Sequence, residues 1–239
     1  GLGPTWTAAI DLIDLRDLQR DYALGREALV PSVTWRPRRS LSFVASVSAE
    51  YNDVLVFNPA ASPTTLRLLK VPEGQTAALS QRIGATLDFR NNPFAATRGF
   101  LLAGSVEHVS AFLTSESTTS SGNSDFFKVS AKVAVYIPLF FEGVSLAMSL
   151  SGGYNARLFG QTYPDRLFFL GGVDSIRSFS PESVVPQDIA SCIVGTSKRS
   201  ECFKLDGRRL TIDDVPIRGG DMMVNSRLEL RFPLKISSA

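Results

Sequence analysis

Apolar and polar residues alternate with a period of two along most of the chain. In 126–137 one face reads Phe127, Val129, Ala131, Val133, Val135 and Ile137, and the other Lys128, Ser130, Lys132, Ala134 and Tyr136. In 143–154 Val144, Leu146, Met148, Leu150, Gly152 and Tyr154 oppose Ser145, Ala147, Ser149, Ser151 and Gly153. In 222–233 Met222, Val224, Ser226, Leu228, Leu230 and Phe232 oppose Met223, Asn225, Arg227, Glu229 and Arg231. This is the period of a β-strand, whose successive side chains leave opposite faces. Weaker versions at about 5–13, 26–35, 40–51, 76–90 and 98–109 bring the predicted strands to eight.

These strands are long. A tilted strand crossing a bilayer needs ~9–11 residues, whereas strands of soluble proteins cluster near ~5–6. The connections sharpen the contrast: 14–25, 52–75, 110–125 and 155–219 are long and polar, while 36–39, 91–97 and 138–142 are short. Such alternation predicts an all-β, transmembrane antiparallel barrel, with short turns on the periplasmic side and long loops outside. A soluble β-sandwich, the competing reading, shares the periodicity but has no reason to keep that parity. The barrel would place 155–219, 110–125 and 52–75 outside the cell. Trp6, Trp35, Tyr51, Tyr136 and Tyr154 fall near strand ends, where interfacial aromatic girdles are expected.

Composition narrows the classes without choosing among them. A net charge of +2 and 20% charged residues point to neither nucleic acid nor an acidic partner. Mean hydropathy is +0.07, and the longest apolar runs, such as Tyr136-Ile137-Pro138-Leu139-Phe140-Phe141, fall far short of the ~18 residues of a spanning helix. The opening Gly1-Leu2-Gly3-Pro4-Thr5-Trp6 has no basic leader, and the chain stops directly after a strand, so it reads as a fragment of an exported protein. No nucleophile elbow or phosphate-cradling glycine loop is present. His108 reads as a wall residue near the outer rim and Asp213-Asp214 as a solvated loop pair, so neither an enzyme nor a cofactor is expected. Lys198-Arg199 and Arg208-Arg209 suit a solvated loop or contact with anionic lipopolysaccharide.

The only two cysteines, Cys192 and Cys202, lie in the long loop. An even count in an exported chain reads as a disulfide. Free thiols and metal ligation are the alternatives; a metal would need further ligands, and His108 lies on a different strand.

The most specific stretch is Phe168-Phe169-Leu170-Gly171-Gly172-Val173-Asp174-Ser175-Ile176-Arg177-Ser178-Phe179. It is followed by Gly219-Gly220 and the strand-like Asn225-Ser226-Arg227-Leu228-Glu229-Leu230-Arg231-Phe232. A paired glycine, a hydrophobic-Arg-small-aromatic tetrad, a polar loop and a strand bearing a carboxylate resemble the BamA/TamA superfamily of outer-membrane insertases, the bacterial surface-antigen family. The resemblance implies that Arg177 reaches into the lumen, with Phe179 as the aromatic of the tetrad and Glu229 as the wall carboxylate. Ser178 departs from the usual Gly there. If that position needs a positive φ, the serine costs on the order of 1 kcal/mol or more. A guanidinium–carboxylate pair would fix direction and register of a loop that little else holds.

A second resemblance is Asp88-Phe89-Arg90-Asn91-Asn92-Pro93 with Thr97-Arg98-Gly99, similar to a periplasmic turn of the family; Asp88 and Arg90 would face the lumen, while Asn91, Pro93 and Gly99 supply turn chemistry. Some members carry a similarly spaced cysteine pair in the same loop. Family barrels have sixteen strands preceded by POTRA repeats. The chain would then be about eight of those strands, with loop 155–219 folded into the lumen. POTRA domains, the first and last strands, and the lateral seam between them would lie outside it. The implied function is non-enzymatic assembly of β-barrel proteins into the bacterial outer membrane. Implied partners are membrane lipid, lipopolysaccharide, unfolded β-barrel clients, and accessory lipoproteins or an inner-membrane partner reached through the POTRA domains. A polypeptide transport pore of the two-partner secretion type is the alternative within the superfamily.

Overall fold

The eight alternating segments form strands β1 (Thr5–Leu18), β2 (Tyr22–Arg38), β3 (Leu41–Val56), β4 (Gly74–Asp88), β5 (Gly99–Leu113), β6 (Asn123–Pro138), β7 (Ser145–Phe159) and β8 (Met222–Arg231). The computed structural model describes residues 5–18, 22–56, 74–113, 123–140, 144–160, 162–163, 166–173, 175–204, 207–214 and 219–232. Most of the expected outer loops 52–75 and 110–125 lies outside the described residues. All eight strands lie in one antiparallel sheet, ordered β1 to β8, each paired with its sequence neighbours. Among the described residues between β7 and β8 lie helix α1 (Gln187–Val194) and the 3-10 turns Ser200–Cys202 and Ile212–Asp214. Among the described residues no helix is long and apolar enough to cross a membrane.

The ladder assigns every side chain to one of two faces. Side chains from β3, β5, β6 and β7 meet at one loop residue, Arg166, so the sheet curls around it and that face is the inner one. Following the register from Glu50 and Glu107, the inner rows carry Arg82, Ser105, Ser130, Lys132, Asn155 and Glu229. The outer rows carry large aliphatics that remain open to the surroundings, among them Ile83 at 68% and Leu228 at 69% exposure. An apolar exterior around a polar interior inverts the soluble arrangement and is that of a wall in lipid.

Three sequence expectations change. The strands run past the apolar alternation, so the expected long loop 14–25 shrinks to the three residues between Leu18 and Tyr22. Polar residues such as Asp14 and Asp17 stay in register with Glu27 and Leu24, because ladder bonds use the backbone and are indifferent to side-chain polarity. Connection parity is therefore not strict: the turn 89–98 is longer than the connection 114–122 on the opposite edge. Tyr136 belongs to the inner face, where the Arg231 guanidinium lies 5.3 Å from its ring centre, rather than to a lipid-facing girdle. Pro31 is accommodated in β2 where pairing with β3 lapses between Leu29 and Ser32, since proline has no N–H to give.

Candidate functional site on the inner face

Two carboxylates standing alone on the inner rows, Glu50 of β3 and Glu107 of β5, meet one loop cation. Arg166 Nη2 lies 2.6 and 2.7 Å from the two Glu50 oxygens, and its Nη1 is 3.4 Å from Glu107 Oε1. The Glu50 side chain is fully buried and also accepts from Arg26 Nη2 at 2.8 Å and Ser48 Oγ at 2.6 Å. The Arg166 carbonyl accepts from Lys128 Nζ at 2.9 Å and Asn155 Nδ2 at 3.0 Å. Donors thus converge on a buried carboxylate from a neighbouring strand and a distant loop, the arrangement in which a buried charge is tolerated.

Phe168 continues this contact. Its backbone exchanges two hydrogen bonds of 2.9 Å with Gly220, closing the neck of the loop, and its ring lies over Gly153 with Lys128 Nζ 4.6 Å from the ring centre. A Cβ at Gly153 would collide with that ring and come within 2.8 Å of the Val129 carbonyl. Glycine at this point of β7 is a seat for the aromatic.

The predicted tetrad lies deeper. Gly171 and Gly172 take φ of 119° and 87°, conformations that L side chains rarely adopt. A Cβ at Gly171 would also strike the Ser180 carbonyl. Their backbone closes the tip: Gly172 N donates to Phe179 O at 2.9 Å, and Phe179 N to Ile176 O at 3.1 Å, so Ile176–Phe179 is a turn. Ser178 does not need a positive φ, because Glu182 is the one non-glycine residue with positive φ among those described; the expected cost of serine does not arise.

Arg177 Nη2 is 3.3 Å from Glu229 Oε1, with the arginine side chain 66% exposed. Glu229 is bound more closely by Arg231, at 2.9 and 3.1 Å, and Arg227 approaches it at 3.5 Å. Arg227 also donates to the Val173 and Ser175 carbonyls at 3.2 and 2.8 Å. Glu229 therefore gathers three guanidiniums, two from β8 and one from the loop. Since Glu229 pairs with Ala147 while Arg166 sits at Asn155 of the same strand, the loop travels about 27 Å down the inside of the wall.

The turn 89–98 holds the second predicted set. Arg90 grips Asp88 at 2.9 and 2.7 Å and donates to the Pro93 carbonyl at 3.0 Å. Asn91 Oδ1 accepts from the Thr97 and Arg98 N–H groups, both at 3.1 Å, and Gly99, at φ 107°, closes the turn. Arg231 reaches the same turn through the Ala96 carbonyl at 3.4 Å, linking tetrad and turn at one end of the wall.

Farther out, Cys192 of α1 and Cys202 are joined as a disulfide, with Cα atoms 4.8 Å apart. Arg209 is not a solvated cation: it donates to the Cys192 and Ser197 carbonyls at 3.0 and 2.9 Å and lies over the Phe203 ring. Asp214 is likewise buried rather than solvated. Burial pushes its carboxyl up, but hydrogen bonds from Lys204 and Thr211 outweigh this and hold it below its usual value of 3.8. A depressed folded pKa contributes stability above the unfolded value that vanishes as pH falls through the folded one. Protease cutting within 203–214 is therefore expected to accelerate below about pH 4, and Asp214→Asn to abolish that acceleration. His108 has a partner in Asp125, whose Oδ1 is 2.6 Å from its Nε2. Among the described residues no set of three or more metal-ligating side chains converges.

The Arg166 cluster is the functional residue set that pattern reading misses. Arg166 lies two residues ahead of Phe168, just outside the stretch that carries the family resemblance, and Glu50 lies 116 residues away. The available signal was the carboxylates themselves: isolated glutamates on the polar faces of two non-adjacent strands call for a cation from elsewhere.

The sequence matches the Omp85 superfamily domain over residues 15–239. Among solved structures it is similar to BamA from Haemophilus ducreyi lacking POTRA domains 1–3, with a TM-score of 0.66 and 18% identity, covering 99% of this chain and 43% of that one. The chain thus spans less than half the length of that BamA chain, and the likeness is one of fold. No curated protein sequence matches it.

Proposed function

The chain belongs to the Omp85 superfamily, and from that premise we propose that it forms part of an outer-membrane barrel that assembles β-barrel proteins into the bacterial outer membrane. The observation that carries this reading is a loop held against the polar inner face of a wall whose outer face is apolar. Arg166 holds its neck and Arg177 its tip. The role is non-enzymatic: the pinned loop keeps the interior shaped while unfolded β-barrel clients engage the wall. Lipid and lipopolysaccharide are its surroundings, and accessory lipoproteins or an inner-membrane partner would be reached through POTRA domains.

Two substitutions at the loop tip should differ in severity. Arg177→Ala removes one exposed partner of a carboxylate that keeps two others, a loss of about 0–1 kcal/mol. Glu229→Ala leaves Arg177, Arg227 and Arg231 crowded without a counter-charge and should cost at least about 2 kcal/mol. In vesicles, assembly of a client barrel by the full-length protein is expected to fall strongly for Glu229→Ala and slightly for Arg177→Ala. Unchanged assembly with both, alongside release of a single secreted polypeptide across the membrane, would instead favour the transport pore.

A further inference from the structure

The end of β2 and the turn into β3 carry Arg38 and Arg39, both exposed, and among the described residues neither guanidinium is hydrogen-bonded or ion-paired. Next to them on the outer face stand three stacked aromatics. Trp6 and Trp35 have ring centres 5.4 Å apart and planes 17° apart, and Trp35 and Phe43 are 5.4 Å and 22° apart. The register between β2 and β3 shifts here: Trp35 opposes Phe43, but Arg38 opposes Leu41. On β3, Leu41 and Phe43 share a face, so the bulge swings Arg38 to the outer side, below the stack. An unshifted ladder would have put Pro37 there. The adjoining carboxylate offers no relief. Asp88 donates its N–H to the Ser40 carbonyl at 2.7 Å, but its side chain is taken by Arg90.

We propose that this turn binds the headgroup of an anionic phospholipid in the periplasmic leaflet. Arg38 and Arg39 take the phosphate, and Trp6, Trp35 and Phe43 lie along the glycerol and upper acyl region; Arg36, which pairs with Thr5 one step from the Trp6–Trp35 pair, belongs to the inner face. The inference rests on the membrane-wall reading of the outer face. A guanidinium fork matches phosphate oxygens, and amphipathic aromatic rings settle at headgroup level. Net charge separates an anionic phospholipid from a zwitterionic one that carries the same phosphate, because positive charge near the surface favours the former.

The chain carries its own reporter, since its two tryptophans are both in the stack. The full-length protein, with any further tryptophan replaced by phenylalanine, is reconstituted in phosphatidylcholine vesicles containing brominated phosphatidylglycerol or brominated phosphatidylcholine. Brominated phosphatidylglycerol is expected to quench Trp6 and Trp35 with a relative binding constant on the order of fivefold higher. That preference should fall to near unity in Arg38→Gln/Arg39→Gln and shrink at high salt. Arg38→Gln alone, its fold verified by heat-modifiable electrophoretic mobility, serves if the double variant does not assemble, and should at least halve the preference. Equal quenching by the two lipids in the unaltered protein overturns the proposal and assigns the turn to a soluble acidic partner. A preference untouched by the substitutions overturns it as well. Absence of quenching by either lipid would instead sink the membrane-wall reading itself.

Discussion

Replacing Glu50 with alanine is expected to free the neck of the long loop and to be the most damaging single truncation on the inner face. Glu50 is fully buried and receives Arg166, Arg26 and Ser48. Its loss leaves two guanidiniums side by side, and breaking such a pair costs about 3–5 kcal/mol. Arg166→Ala should be milder, because Arg26 still faces Glu50, yet it removes the contact that ties β3 and β5 to the loop. Arg166→Lys keeps the charge but not the fork and should fall between. The measurements are protease cutting of 166–220 and the temperature at which the heat-modifiable band disappears. If Arg177→Ala proves more harmful than Arg166→Ala in both, the tip and not the neck is the stronger anchor of the loop.

Removing the disulfide is expected to loosen a different part of the loop while leaving the neck in place. Cys192 and Cys202 are both buried, as are Ile189 and Leu210. Helix α1 has eight residues, too few to persist in water without tertiary support. Closing the ring between the cysteines is worth roughly 3 kcal/mol in the chain-entropy model. Cys192→Ala/Cys202→Ala, or a reducing agent on the unaltered protein, should therefore speed proteolysis within 187–214 several-fold. The melting behaviour of the wall should not move. A coincident fall in wall stability would show that the outer subdomain and the wall unfold as one unit.

The wall was legible because one physical rule, alternation across a pleat, operates on neighbouring residues. The apolar runs of β6, β7 and β8 need no distant information to be recognised, and the Asn91-Asn92-Pro93 turn encodes its own closure through local hydrogen bonds. Strands run past the apolar alternation where polar side chains continue a backbone ladder, as at Asp14 and Asp17. The proximity of Arg177 to Glu229 was anticipated by resemblance rather than by any local rule. That Arg231 binds Glu229 more closely was not, although both lie on the same face of β8.

The sequence by itself determined the eight strands, the division of each into an apolar and a polar face, and the chemistry of the turns, since all of these follow from contacts a few residues apart. Only the tertiary structure decided which polar face closes around the loop, and that Arg166 rather than Arg177 makes the buried contact. That choice depends on how far the sheet curls and where a long connection re-enters it. The partners are brought together by loop closure over 116 residues, at an entropic cost that depends on loop length and leaves no periodic trace in the chain.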